Sequence, residues 1–466
     1  MTDPLDRAIA HARVWLDQLD TAPAGATATA ADLRKALGGP LPEQPGDPAA
    51  LIDALAANTR GGLNANTGGR FYGWVMSGGL PGALAADWLV SAWDQNVGLY
   101  SVAPAAAMIE DITGAWLKEL FDLPRESSFA FTTGCQLAHV VCLSAARHRM
   151  LAARGWDVEM QGLSGAPAIR VLTSQNRHKS IDAAARYLGL GQNSLVDVET
   201  GPMGDMSARD LERRLAEGAA PTIVCLNAAD LNVGTFDDFS VLIPLARRAG
   251  AWVHVDGAFG LFARVSPKLR AMTDGIDGAD SWATDGHKWL NVPYDCGIAL
   301  VRDADAHRAA MSMGAAYLSP SGEARDPNDW NLELSRRARA IPVYVALQEL
   351  GREGVAELVE RCCRHCRAIV EGIGALPGAR ALNTPSLNQG LVRFEEPGRS
   401  DTENDRFTDA VIARINASGE AFFSGTTWNG RRVMRVSVVS WRTNKADVAR
   451  AIAAAAAALG TSNIRP

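Results

Sequence analysis

Two residues of the sequence combine types that suit covalent chemistry on a carbonyl compound. Asp256 ends the apolar run Trp252-Val-His-Val-Asp, where a carboxylate is costly to bury unless a cationic or protonated group meets it. Lys288 lies 32 residues further on, between apolar residues in Asp285-Gly-His-Lys-Trp-Leu. A lysine in such surroundings can lose its proton and attack a carbonyl carbon. Each residue alone also has an ordinary explanation, as a carboxylate at a turn or an amine on the surface.

As a pair, the two residues match the requirements of pyridoxal 5′-phosphate (PLP). This cofactor needs an amine that forms an imine with its aldehyde and an anion beside its pyridine nitrogen. The sequence therefore predicts PLP bound as an imine on Lys288, with Asp256 at the ring nitrogen. Two other segments support this prediction. Thr132-Thr-Gly-Cys-Gln precedes a helix-like stretch and can present backbone amides to a phosphate, and His178 follows a strand where an imidazole can stack on the ring.

The strings around these residues resemble a known family. His254-Val-Asp-Gly-Ala and Asp285-Gly-His-Lys-Trp-Leu-Asn-Val-Pro-Tyr-Asp-Cys-Gly are similar to the group II PLP-dependent amino-acid decarboxylases, relatives of aromatic amino-acid and glutamate decarboxylases. The resemblance runs from about residue 70 to 443 and includes Arg336-Arg-Ala-Arg-Ala-Ile-Pro-Val and Arg435-Val-Ser-Val-Val-Ser-Trp-Arg-Thr. It implies an α/β architecture of PLP fold type I, like that of aspartate aminotransferase. It also implies a homodimer with its sites near the subunit interface.

The resemblance further implies a role for each member of a set of site residues. Lys288 corresponds to the imine lysine and Asp256 to the partner of the ring nitrogen, while His178 stacks on the ring and Ala258 packs on its other face. The phosphate is expected at the loop after residue 132, with His287 nearby. The expected catalytic residues are Lys288, His178 and Asp256, and the expected cofactor-binding residues are Gly134, Cys135, Gln136, His178, Asp256, Ala258, Asp285, His287 and Lys288.

The predicted reaction is the decarboxylation of an aromatic or otherwise bulky L-amino acid to its amine and CO2. Two segments, Arg70-Phe-Tyr-Gly-Trp-Val and Asn96-Val-Gly-Leu-Tyr, resemble family segments that line the entrance to the site. The candidate substrate-binding residues are Tyr72, Trp74, Asn96 and Tyr100. An equally weighted alternative is that the aromatic residues at 71, 72 and 74 belong to a core.

One departure from the family pattern leaves a second outcome open. The family carries a tyrosine on a mobile loop, three residues before the tryptophan that matches Trp330, and it helps to return a proton to the substrate. Pro327 stands at that position here, and the nearest tyrosine is Tyr317. The alternative is therefore oxidative decarboxylation and deamination to an aldehyde, or an aminotransferase or lyase reaction on the same scaffold. His178, Lys288 or water could supply the proton.

Other classes of protein fit the sequence less well. Gly189-Leu-Gly-Gln-Asn-Ser nearly matches a dinucleotide-binding fingerprint, but it lacks the third glycine and follows a helical segment. A PLP-binding protein without catalysis conflicts with the intact Lys288. Cys362, Cys363, His365 and Cys366 lie within one helical pattern and lack a second ligand pair at zinc spacing, so no metal is predicted.

The composition is typical of a globular protein and excludes some partners. The 466 residues are 47% hydrophobic and 21% charged, with a net charge of -6, so no overall field favours nucleic acid or an anionic membrane. The sequence contains no uncharged apolar run of about 18 residues, and its polar start does not resemble a secretory signal. Seven scattered cysteines argue against a disulfide framework. A cytoplasmic location and an amino-acid substrate are therefore expected.

The elements that must position these residues fall into three predicted parts. Residues 1–75 form a helical N-terminal segment, residues 76–345 a large PLP-binding α/β domain, and residues 346–466 a small α+β domain. Within the second part, short β-rich runs alternate with helical stretches, which predicts a mostly parallel central sheet covered on both faces. Sites in such sheets lie at the carboxyl ends of the strands.

Overall fold

The computed structural model describes residues 3–313 and 324–460. The helices are α1 Pro4–Gln18, α2 Ala30–Leu37, α3 Pro48–Thr59, α4 Pro81–Trp93, α5 Pro104–Leu120, α6 Cys135–Ala152, α7 Val158–Gln161, α8 Lys179–Tyr187, α9 Ala208–Ala216, α10 Phe239–Arg248, α11 Gly286–Trp289, α12 Ala304–Met311, α13 Ala340–Gly374, α14 Asp401–Ala417 and α15 Lys445–Ala458. The strands are β1 Ser128–Thr132, β2 Arg170–Ser174, β3 Leu195–Val198, β4 Thr222–Asn227, β5 Trp252–Asp256, β6 Ser281–Asp285, β7 Gly297–Val301, β8 Ala379–Ala381, β9 Gln389–Phe394, β10 Ser424–Trp428 and β11 Arg431–Ser437. Among the described residues, no helix combines the length and apolar character needed to span a membrane.

A seven-stranded sheet forms the centre of the compact unit built from residues 78–363. Its strand order is β1-β7-β6-β5-β4-β2-β3, and the pairs from β6 to β3 are all parallel. β7 runs antiparallel to both of its neighbours, β1 and β6. The predicted, mostly parallel sheet is confirmed, with one strand reversed.

Burial on both faces characterises the central strands. Every residue of β4, β5, β6 and β7 is buried, as expected for strands with both faces covered. Helix α6 lies on one face of the sheet and contacts β5, β6 and β7. Small side chains such as Ala138, Ala145 and Ala146, all fully buried, let this helix approach the strands closely.

Polar residues end the parallel strands at one edge of the sheet. β4 ends at Asn227, β5 at Asp256 and β6 at Asp285, and all three side chains are buried. β4 and β5 are in register through the pair Asn227 and Asp256. Because the carboxyl ends of parallel strands share an edge, this is where a site is expected.

A second compact unit combines residues 1–77 with residues 364–466. It contains a four-stranded antiparallel sheet in the order β10-β11-β9-β8, against which α14 packs, and α15 packs on α14. The N-terminal helices α1, α2 and α3 pack on one another. The three-part division at residues 75 and 345 stays a prediction about domains, while the packing groups the N-terminal segment with the C-terminal residues.

Helix α13 has a break within its 35 residues. Gly351 has φ 60° and ψ 178°, a left-handed backbone that side chains with a Cβ rarely adopt. The cysteine and histidine cluster at residues 362–366 lies on this helix, as the periodicity predicts.

Candidate active site

The turn after β6 holds Lys288. The short helix α11 follows Asp285 directly, so the amine projects from the carboxyl end of a buried strand. Trp289 anchors the turn, because its side chain is fully buried and its Nε1–H donates to the Phe259 carbonyl at 2.7 Å. Lys288 Nζ lies 2.9 Å from Asp285 Oδ2 and 5.9 Å from the centre of the Phe259 ring. The amine is thus held between a carboxylate and an aromatic face.

The charge state of Lys288 corrects the expectation drawn from its apolar neighbours. Burial lowers the pKa of Lys288, but the Asp285 carboxylate, with a contribution from Asp256, outweighs burial, so the pKa is raised. In the protein alone the amine therefore keeps its proton. The expectation considered the apolar residues beside Lys288 and not the charge of Asp285, which lies three residues before the lysine.

Asp256 is a buried, ionised carboxylate at the end of β5. Ala258 donates its backbone N–H to Asp256 Oδ1 at 3.1 Å, and His139 Nε2 lies 3.5 Å from Asp256 Oδ2. Burial raises the pKa of Asp256, but the nearby His139 ring and the Ala258 N–H outweigh burial and hold this pKa well below its usual range. An anion that stays ionised at this position suits a cationic ring nitrogen.

Cys135, the first residue of α6, connects the two carboxylates. Its backbone N–H donates to Asp285 Oδ1 at 2.7 Å, and its Sγ lies 4.0 Å from Asp256 Oδ1. Asp285 in turn contacts Lys288, so the contacts from Lys288 to Asp256 are continuous. The amine and the carboxylate predicted to bracket one ring therefore belong to one connected group of side chains.

The loop between β1 and α6 packs tightly on β7. A Cβ on Gly297 would lie 2.3 Å from the carbonyl carbon of Gly134, so only glycine permits this approach. Gln136 is exposed at the second position of α6, an 18-residue helix. The loop thus holds the positive end of a long helix beside the Lys288 turn, which is a suitable place for a phosphate.

His287 lies next to this loop. A Cβ on Gly134 would contact His287 Cε1 at 3.5 Å. Cys296 donates its backbone N–H to His287 Nδ1 at 3.1 Å, and the Tyr294 ring lies 4.4 Å away between centroids. Burial lowers the pKa of His287, so the ring is neutral, and an acceptor at Nδ1 places its hydrogen on Nε2. Nε2 is then a donor on the side away from Cys296, 3.6 Å from Asp285 Oδ1.

His178 precedes α8 at the carboxyl end of β2. Ser180 donates its backbone N–H to His178 Nδ1 at 3.2 Å, and the Ser180 hydroxyl lies 2.8 Å from the same atom. The side chain is exposed, yet the ring is close enough to Asp256 to lower the pKa of that carboxyl. Ala258 is half-buried two residues beyond Asp256.

One residue of the site, His139, escaped the sequence analysis. It is fully buried on α6, one helical turn after Cys135, and contacts both Asp256 and His254. Two periodicities carry the signal. Residues 135 and 139 share a helix face, while His254 and Asp256 share a strand face.

The same cluster offers donor atoms for a metal ion. Among the described residues, Cys135 Sγ, His139 Nε2 and an oxygen of Asp256 lie within 4.8 Å of one another. Burial raises the pKa of the Cys135 thiol well above its usual range, which disfavours the thiolate that a metal requires. The cluster is therefore better described as a hydrogen-bonded group.

The four predicted substrate residues divide between the two compact units. Tyr72 is fully buried and its ring lies 5.1 Å from that of Phe423, as in a packed core, and its contact with the substrate stays a prediction. Trp74 is 51% exposed. Asn96 Oδ1 accepts the backbone N–H of residue 336 at 3.0 Å, and Tyr100 donates its backbone N–H to Asp326 at 2.8 Å.

The segment with Pro327 is fixed by the chain around residue 98. Pro327 and Asn328 are buried at the start of a 3-10 turn that ends at Trp330, and the Asn328 N–H donates to the Gly98 carbonyl at 2.9 Å. No tyrosine occurs in residues 324–330, and Tyr317 lies outside the described residues. The described part of the segment therefore offers no phenol as a proton donor.

Known proteins are similar to the chain in sequence and in fold. Residues 32–395 match the protein family described as "Pyridoxal-dependent decarboxylase conserved domain". The chain belongs to this family. Bos taurus acidic amino acid decarboxylase GADL1 is 31% identical over 327 residues, which cover 68% of this chain and 61% of the bovine protein. Rhizobium meliloti L-2,4-diaminobutyrate decarboxylase is 29% identical over 82% of this chain and 77% of its own. The chain therefore spans about three-fifths of the bovine relative and about three-quarters of the bacterial one.

Solved structures of family members share the whole architecture. The crystal structure of mouse CSAD has a TM-score of 0.91 at 22% identity and covers 98% of both chains. The structure of Oryza sativa TDC with PLP and tryptamine has a TM-score of 0.91 at 20% identity and covers 99% of this chain and 98% of that one. The predicted α/β architecture of PLP fold type I is confirmed.

The residues of this chain fit the family's cofactor, PLP. An ionised, buried Asp256 matches a protonated ring nitrogen, and a primary amine at residue 288 matches the aldehyde. The glycine contact between residues 134 and 297 leaves the helix N-terminus beside that amine for a phosphate. All of these groups lie at the carboxyl edge of one sheet.

Proposed function

We propose that the protein is a PLP-dependent decarboxylase that converts an L-amino acid to its amine and CO2. The continuous contact from Lys288 through Asp285 and Cys135 to Asp256 carries this proposal, because it joins the groups needed at opposite ends of one pyridine ring. When bound, the cofactor supplies an aldehyde for the amine of Lys288 and a ring that accepts the electron pair left by CO2.

Each of the surrounding residues has a proposed task. The ionised Asp256 keeps a proton on the ring nitrogen, which makes the ring a better electron acceptor. The exposed His178 ring stacks on one face, and Ala258 lies on the other. The phosphate lies at residues 134–136, where the α6 N-terminus is aided by His287 Nε2–H.

Lys288 is the proposed source of the proton that returns to the α-carbon. Its raised pKa beside Asp285 means that the displaced amine carries a proton at neutral pH. Asp285 holds that amine by a contact of 2.9 Å, so it stays near the reacting atoms. This assignment replaces the missing tyrosine at Pro327 and favours the amine as product.

An aromatic or otherwise bulky L-amino acid is the proposed substrate, because Trp74 and Tyr100 of the two candidate entrance segments are aromatic and not fully buried. By their names, the relatives act on acidic, diamino and aromatic amino acids. A substrate screen must therefore contain all three classes. Aromatic amino acids should be turned over faster than acidic and basic ones. The reverse order would contradict the proposed bulky substrate but not the proposed decarboxylation.

The decisive experiment combines a spectrum with product analysis. Protein loaded with PLP should show a visible band that borohydride removes, with the label on Lys288. Lys288→Ala should lose the label and at least 10³-fold of the turnover, on the order expected for a lost covalent catalyst. Lys179→Ala is the matched control, because that side chain is 86% exposed and lies 3.6 Å from Asp182 in a pair that water screens.

Oxygen distinguishes the two possible products. Amine and CO2 in equal amounts, with and without oxygen, are the expected result. Aldehyde, ammonia and peroxide that appear only with oxygen would replace the decarboxylase by the oxidative reaction. A labelled protein without turnover on any amino acid would contradict both.

A homodimer is the proposed assembly. Trp88, Leu89 and Trp93 project from α4 and are 40%, 47% and 50% exposed, a large apolar surface for a single chain. Sedimentation equilibrium should give twice the 49.5 kDa of the chain. A monomer at micromolar concentration would contradict this proposal.

A further inference from the structure

A line of buried polar side chains leads away from Asp256 on the side opposite Lys288. His139 Nδ1 lies 2.9 Å from His254 Nε2, and His254 Nδ1 lies 2.9 Å from Ser281 Oγ. Trp252 donates its Nε1–H to the same Ser281 oxygen at 3.0 Å. The two histidines and the serine are completely buried. We call Trp252, Ser281, His254 and His139 the histidine relay.

The groups at the far end of the histidine relay can all donate in one direction, toward His139. An indole N–H can only donate, so Ser281 Oγ accepts from Trp252 and its own hydrogen is free to point to His254 Nδ1. Burial lowers the pKa of His254 to about 3, so this ring is neutral and carries a single hydrogen. That hydrogen then lies on Nε2 and is donated to His139 Nδ1.

The near end of the histidine relay faces Asp256. With Nδ1 of His139 accepting, its ring hydrogen lies on Nε2, which is 3.5 Å from Asp256 Oδ2 and 3.5 Å from Cys135 Sγ. The opposite assignment would turn an Nε2 lone pair toward an ionised carboxylate, unless His139 carried a full positive charge. An Nε2–H that points at Asp256 pairs every member of the histidine relay and meets the negative charge with a donor.

Other groups near Asp256 do not have this arrangement. His178 and Lys288 affect the carboxylate electrostatically, but His178 is exposed and Lys288 is paired with Asp285. Burial raises the pKa of the Cys225 thiol well above its usual range, so this thiol adds no charge. His139 alone among these residues reaches Asp256 from a fully buried position.

We infer that His139 is a positioning residue, whose Nε2–H holds the Asp256 carboxylate ionised and oriented while the histidine relay keeps that hydrogen in place. The inference rests on the proposed role of Asp256 toward the ring nitrogen of PLP. His139 touches neither cofactor nor substrate. It acts through Asp256, so its effect must depend on the presence of a ring nitrogen.

An analogue of PLP that has C–H in place of the ring nitrogen provides the test. Dissociation constants for PLP and for the analogue are measured with cofactor-free wild type, His139→Leu and His139→Gln. For His139→Leu the constant for PLP should rise about 10- to 100-fold, the range for a lost hydrogen bond to a charged group, with the analogue within about twofold. His139→Gln, whose amide can reach Asp256, should recover part of the loss.

A merely structural role predicts a different pattern. If PLP and the analogue weaken by the same factor, or if PLP affinity is unchanged in a folded His139→Leu protein, the inference is wrong. If wild type itself does not prefer PLP over the analogue, the proposed role of Asp256 fails, and the inference fails with it. If wild type and His139→Leu prefer PLP over the analogue to the same extent, the inference is wrong while the proposed role of Asp256 stands.

A milder variant and a spectroscopic measurement guard against misfolding. Ser281→Ala removes the hydroxyl far from the ring and should weaken PLP in the same direction but less than His139→Leu, again without an effect on the analogue. Nitrogen-15 spectra of histidine-labelled, cofactor-free wild type should show a hydrogen on His139 Nε2, assigned by its loss in His139→Gln. An unprotonated Nε2 would overturn the inference without any variant.

Discussion

Replacing Asp285 with asparagine isolates the charge that holds Lys288. Asparagine keeps an oxygen that can accept the Cys135 N–H, now at 2.7 Å, but it removes the negative charge 2.9 Å from Lys288 Nζ. The asparagine variant therefore leaves a buried ammonium without its carboxylate. The loop and the strand are otherwise kept.

The expected loss of stability is about 3 kcal/mol. Breaking a buried ion pair by removing one partner costs about 3–5 kcal/mol, and the lower end applies because the Lys288 side chain is still 18% exposed to water. Since the pKa of Lys288 is raised in the folded protein, this stabilisation is fully present below the usual lysine pKa of 10.5 and is lost above the raised value. The loss should therefore be constant between about pH 6 and 9.

Urea unfolding of the cofactor-free protein at pH 7 measures this loss, and a double-mutant cycle assigns it. In a Lys288→Met background, Asp285→Asn should cost about 1 kcal/mol, which gives a coupling of about 2 kcal/mol between the two positions. A coupling below about 0.5 kcal/mol would refute the argument that Asp285 sets the charge of Lys288.

Three further predictions follow from other contacts. Burial raises the pKa of Asp237 to about 7, so between about pH 4 and 7 the folded state binds a proton that the unfolded state has released. Stability should therefore fall as the pH rises through this range, by up to about 1.4 kcal/mol per pH unit. Asp237→Asn should remove that slope in urea titrations. Gly297→Ala should weaken PLP binding at least about tenfold in equilibrium dialysis, because its Cβ meets the Gly134 backbone, whereas Gly39→Ala, with open space around it, should have no effect. Tyr72→Phe should leave KM unchanged and raise the unfolding free energy by up to about 1 kcal/mol, because the buried hydroxyl has no hydrogen-bond partner among the described residues. A several-fold change in KM would instead show that Tyr72 contacts the substrate.

Much of the large unit could be predicted from local sequence. The buried strands at 222–227, 252–256 and 297–301 are continuous apolar runs, and their observed bounds agree with those runs. The reversal of β7 could not be read in the same way. Strand direction depends on how the 11 residues between β6 and β7 return the chain, and that path is a tertiary property.

The site divides along the same line. The positions of Asp256 and Lys288 at the ends of neighbouring strands follow from their local patterns. The contact of Cys135 with Asp285 spans 150 residues of sequence, and the contact of His139 with His254 spans 115. No local pattern encodes such pairs, so the charge of Lys288 and the support behind Asp256 emerged only with the fold.

The reversed strand β7 has a consequence for how the family can vary. In the two ladders of β7, Gly297 is the partner of both Thr132 and Asp285. The strand ends that precede the proposed phosphate site and Lys288 are therefore two strand spacings apart, about 10 Å, and main-chain hydrogen bonds set this distance. Substitutions on the surrounding surfaces cannot change this distance unless the pairing register of a strand shifts. Relative to mouse CSAD, about four in five side chains differ while the fold that sets this spacing is kept.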